Sequence, residues 1–97
     1  MMSAEYFSKE MGVSHADFFR LLPRAMGDVS FEVEGKTVTA ELPGGSLTIV
    51  IGTEQVRRIA LMAIPYAEVS FTFEGVAEDV RTEFMKYFDL RFQRGGG

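Results

Sequence analysis

The chain has 97 residues, 46% of them hydrophobic and nine of them Phe, which is one domain's worth of sequence with enough apolar surface for its own core. Fourteen acids against ten Lys and Arg leave a formal charge of −4, the wrong sign for a general binder of nucleic acid or anionic membranes. No Cys is present, so disulfides, thiolate metal sites and thiol nucleophiles are all excluded.

The opening MMSAEYFSKEMG has neither a basic region nor an unbroken apolar run, so it reads as no secretory signal, and the expected location is the cytoplasm. Tyr6, Phe7 and Met11 suggest at most a short helical turn. The first firm element starts at Ser14, three residues before Asp17, a pairing that lets the hydroxyl accept from an early amide while the carboxylate reaches back. A helix is predicted from about His15, with Phe18, Phe19, Leu21, Leu22 and Met26 on its buried side. Pro23 should end or kink it near Leu22, because the ring clashes with the carbonyl four residues back.

From Val29 the apolar period changes from 3.6 to 2, the signature of half-buried strands. VSFEVE and TVTAEL flank Gly35-Lys36, a two-residue loop with Gly first that suits a type II′ turn. That turn pairs Glu34 with Thr37 and Glu32 with Thr39 outward, and Val33 with Val38 and Phe31 with Ala40 inward. Pro43-Gly44-Gly45 turns the chain into SLTIVI. The next stretch, VRRIALMAI, fits either one helical face or one strand, and a single strand joining its neighbours as a meander is preferred. AEVSFTFEG alternates with Val69, Phe71 and Phe73 inward. After Gly75 a second helix is predicted, with Val80, Phe84, Tyr87 and Phe88 as its apolar stripe and Glu78 and Asp79 at the positive end of its dipole. DLRFQR either extends that helix or forms a short strand.

The expected fold is therefore a single α+β domain over residues 1–94, an antiparallel meander of four or five strands with an N-terminal and a C-terminal helix on one face, followed by a flexible glycine tail at 95–97. The helix, four strands, helix order resembles one half of a TATA-binding protein and, loosely, a shortened helix-grip lipid-binding fold. Both are likenesses of shape without a shared motif, and neither transfers a function.

No catalytic constellation is visible. His15 is the only imidazole, which rules out a His-rich metal cluster or an HExxH site, and PGGS lacks the Lys and the context of a phosphate loop. Glu32, Glu34, Glu41, Glu68 and Glu74 fall on the outward side of separate strands, the ordinary polar face of an antiparallel sheet. That face, with Ser30, Thr37, Thr39, Ser70 and Thr72, would repel phosphates, so no nucleic-acid partner or membrane is expected; with one His, no Cys and the carboxylates spread over separate strands, no metal or cofactor is expected either. One departure breaks the polar pattern. If Ile59, Leu61 and Ala63 point inward, then Ala60, Met62 and Ile64 point outward, near Val50 and Tyr66, as an apolar spot.

The primary reading is a non-enzymatic binding module acting through protein contact or self-association at Val50, Ala60, Met62, Ile64 and Tyr66. A second reading is a carrier of a small apolar ligand held among Phe31, Phe71, Phe73, Phe84 and Phe88. A third rests on Gln93-Arg94-Gly95-Gly96-Gly97, which resembles the end of the ubiquitin-like carriers and implies activation of the Gly97 carboxylate; the order of elements is not theirs.

Overall fold

The computed structural model describes residues 4–96. Six strands and two helices follow one another as β1 (Ala4–Met11), α1 (His15–Met26), β2 (Phe31–Glu34), β3 (Thr37–Leu42), β4 (Gly45–Ile51), β5 (Gln55–Ile59), β6 (Met62–Glu74) and α2 (Glu78–Gly96). The fold is α+β, an antiparallel sheet in the order β1-β6-β4-β3-β2 with β5 pairing to β6 off this path.

The β2–β3 hairpin has the expected register, Glu34 opposite Thr37 and Phe31 opposite Ala40. Gly35 supplies the turn's positive φ of 63°, which an L side chain adopts only at a cost. Carrying the register across the sheet aligns Val33, Val38, Ile49, Phe71 and Phe7 in one row, and Glu32, Thr39, Thr48, Thr72 and Tyr6 in the next. The first row faces the helices and the second faces away. Val33, on the edge strand, still remains 46% exposed although it lies on the inner row.

Between sheet and helices lies a continuous aromatic core. Phe7 stacks on Phe71 at 5.1 Å, Phe71 meets Phe88 edge-on at 5.4 Å, Phe88 contacts Phe92 at 4.8 Å, and Phe92 stacks on Phe18 at 5.3 Å. Offset and edge-to-face pairs of this kind exceed the value of their buried area alone. Phe92 belongs to α2, so DLRFQR extends the second helix. Tyr87, expected in its apolar stripe, is instead exposed. The helix takes in Gly95 and Gly96 of the expected tail; Gly97 lies outside the described residues.

Three expectations are corrected. The N-terminal segment is an edge strand, not a helical turn: it pairs with β6 from Ala4 opposite Glu74 to Met11 opposite Ala67. The first helix runs through Pro23 to Met26, because its last turn buries Ala25 and Met26 completely enough to outweigh the lost turn geometry. The stretch 56–64 is not one strand. It folds back on itself, with Ala60 and Leu61 as the turn between β5 and β6.

Candidate functional site

That fold-back creates the feature that stands out from the body. Ile51 pairs with Val69 and Gln55 with Tyr66, so four steps on one strand oppose three on the other. The amide of Gly52 also donates to the Glu68 carbonyl at 2.7 Å. β5 is thus the continuation of β4 past a one-residue bulge, the device by which a strand bends or twists while keeping its partner. β1 stops at Ala67, so the β5–β6 ribbon beyond Tyr66 has no flanking strand. Pro65 sits in this ribbon, where an open edge tolerates a residue without an amide hydrogen. The molecule measures 50 by 24 by 23 Å.

Every residue of β5 is exposed, and so are Ala60 to Ala63. Leu61 at the turn is wholly in solvent, Met62 is 63% exposed, and Val56 and Ile59 are each 53% exposed. A two-stranded ribbon is marginal in water by itself, and side chains at the base of this one anchor it. The Arg57 guanidinium lies 4.3 Å over the Tyr66 ring and reaches Glu10 Oε1 on β1 at 3.0 Å, crossing the outer face of β6. The Glu10 carboxylate, as hydrogen-bond acceptor and as charge, raises the guanidinium pKa above its ordinary value. The Tyr66 hydroxyl donates to Gln55 Oε1 at 3.3 Å.

The bulge is tied to α1. Ser14 caps that helix as expected, accepting from the Asp17 amide at 3.1 Å, but the Asp17 carboxylate turns to Arg20 instead of reaching back. The His15 amide donates to Glu54 Oε1 at 2.7 Å, so a carboxylate from the bulge completes the helix cap. The His15 ring Nε2 lies 2.6 Å from the Gly52 carbonyl; since a carbonyl only accepts, Nε2 carries the hydrogen. The lone histidine therefore acts here as a bolt between helix and ribbon.

Of the residues singled out for an interface, Met62, Ile64 and Tyr66 share the outer face of β6 with Arg57 and Ile59 opposite them on β5. Ala60 lies in the turn. Val50 is opposite Ser70, four residues further along β6 than Tyr66, so it belongs to the sheet body. The stronger apolar residues are Leu61, Ile59 and Val56, which reading 56–64 as one strand had placed inward or left aside. Their signal was available as a run of apolar residues without a glycine.

The residues singled out for a ligand pocket divide differently. Phe71, Phe73 and Phe88 are buried against one another and against neighbouring rings, while Phe31 and Phe84 are half-buried. Phe84 also lines an apolar cleft of about 300 Å³ between the end of α1, the end of β3 and α2, with Met26, Leu42 and Val80 among its other walls and Asp28, Glu83 and Arg91 around them, while Phe31 borders a separate, more polar hollow with Glu32, Thr39 and Glu41. Arg91, in the cleft lining, directs Nη1 to the Ala25 carbonyl at 3.5 Å and lies over the Tyr87 ring, serving the C-terminal end of α1.

Among the described residues no helix is long and apolar enough to cross a membrane. Comparison with protein-family models, with curated proteins and with solved structures returns no match.

Proposed function

We propose that this chain is a protein-docking module whose binding element is the β5–β6 arm. The observation that carries the reading is the concentration of four large exposed apolar side chains, Val56, Ile59, Leu61 and Met62, on a segment that contributes nothing to the core. An aliphatic side chain of this kind stabilises a contact by about 1.5–3 kcal/mol when fully buried, so the tip holds the driving force of a small interface in reserve. The anchoring at Arg57, Tyr66 and Glu10 supports the reading as well, because an arm held in one conformation loses less freedom on binding.

Photo-crosslinking inside the cell tests it. A photoreactive side chain at position 61 should give a discrete adduct that disappears with Met62→Glu, whereas the same probe at Glu41 on the polar face should not. Equal, diffuse labelling from both positions, or an adduct indifferent to Met62→Glu, would count against the arm.

A further inference from the structure

Resting on the arm as the docking element, we infer that its acceptor is the α1–β3–α2 cleft of a second copy of this chain, so that copies join head to tail. The two features lie at opposite ends of the molecule. β6 runs from the arm at Met62 to Glu74, where Ser46 and the Leu42–Gly45 turn close the sheet and the chain leads into α2. α1 starts beside the bulge, with His15 on Gly52, and ends at Met26 in the cleft wall. An arm at one end and a cleft at the other cannot meet within one molecule but can meet between two.

Charge and size agree with this pairing. From Gln55 to Ala67 the arm contains Arg57 and Arg58 and no acid, so it is the positive end of a protein whose remaining residues sum to −6, from −4 overall less +2. Arg57 is held by Glu10, whereas Arg58 has no ion-pair partner among the described residues. The cleft presents the opposite character, apolar walls with two acids, Asp28 and Glu83, against a single cation, Arg91, whose Nη1 is already directed to the Ala25 carbonyl. Its volume of about 300 Å³ lies at the floor of the range small-molecule pockets occupy, which suits an inserted side chain such as Leu61 better than a free ligand. A tip that fits a pocket elsewhere on its own surface makes a heterologous contact, which propagates into an open chain unless the rotation closes a ring.

Sedimentation velocity of the purified full chain over a concentration series tests the inference. The wild type should associate progressively beyond a dimer as concentration rises. Leu61→Asp should weaken association about 30-fold or more, the scale of an interface anchor. Reversing the rim with Asp28→Arg and Glu83→Arg should weaken it about tenfold, and adding Arg58→Glu to that chain should restore it. All four positions are exposed, and circular dichroism would check that each variant is folded. The decisive step mixes Leu61→Asp, whose cleft is intact, with the rim-reversed chain, whose tip is intact. Head-to-tail docking gives a one-to-one complex that stops there, while symmetric arm-to-arm pairing gives none. A wild type that stays monomeric throughout overturns self-docking but leaves the arm to be judged by the crosslink at position 61. Association abolished by Leu61→Asp yet indifferent to the rim overturns the cleft as acceptor.

Discussion

Gly45 and Gly12 make opposite demands on the same substitution. A Cβ on Gly45 would overlap the carbonyl oxygen of Glu74 on the neighbouring strand, whereas one on Gly12 meets nothing within 4 Å. Gly45→Ala is expected to destabilise by about 2 kcal/mol or more, since backbone must move, and Gly12→Ala to be neutral or stabilising by up to about 1 kcal/mol through a less flexible unfolded chain. Urea denaturation of the pair reads the difference. At the heart of the aromatic chain, Phe88→Ala should cost about 3–5 kcal/mol, a large share of the roughly 5–15 kcal/mol that holds a domain folded. Ala60 carries a φ of 55°, the left-handed region where glycine rests more easily. Ala60→Gly should therefore raise amide protection along both strands of the arm, measured by hydrogen exchange.

At the scale of elements, the arm and the body should respond separately. Met62→Glu places a charge on a side chain already in water, so the unfolding midpoint should hold, with any change within about 0.5 kcal/mol. Arg57→Gln should speed amide exchange in β5 and leave α1 and α2 as they were. Because Glu10 raises the folded-state value for Arg57, that stabilisation is fully present at neutral pH, where the pair is charged, and fades as pH rises only above the ordinary guanidinium range; salt, not mild base, is what loosens this anchor. The β2–β3 hairpin was legible because period 2, Gly35 and the carboxylate-to-hydroxyl pairing all agree on one register. Two elements were not. The Ala60–Leu61 turn contains no Gly, Pro, Asn or Asp, so nothing in IALMA announces a reversal. β1 disguises its alternation, because Lys9 occupies an inner-row position and is satisfied by Asp89 on α2, a partner eighty residues away. Pro23 misled in the other direction, since a local rule about helix ends yields to the burial of Ala25 and Met26.

For the whole molecule, the arm is separable from what holds the fold together. None of residues 55–66 belongs to the buried core. Replacing Gln55–Tyr66 by Asn-Gly should leave a body that still unfolds cooperatively by calorimetry while removing every contact the tip makes. The apolar outer face of the arm was partly legible at this scale too. Met62, Ile64 and Tyr66 stand out in the sequence as an apolar interruption of a polar face, but the shape that gives them reach depends on a bulge at Gly52–Glu54, a stretch whose glycine reads in sequence as a turn between two strands.

The pairing of β1 with β6 also sets an order of events during synthesis. Phe7 is made 64 residues before its partner Phe71. At roughly 5–20 residues per second, Phe7 waits about 3–13 seconds before the partner strand exists to receive it. The β2–β3–β4 meander can close during that interval, leaving the edge of β6 to be zipped last, by the strand made before every other strand of the sheet.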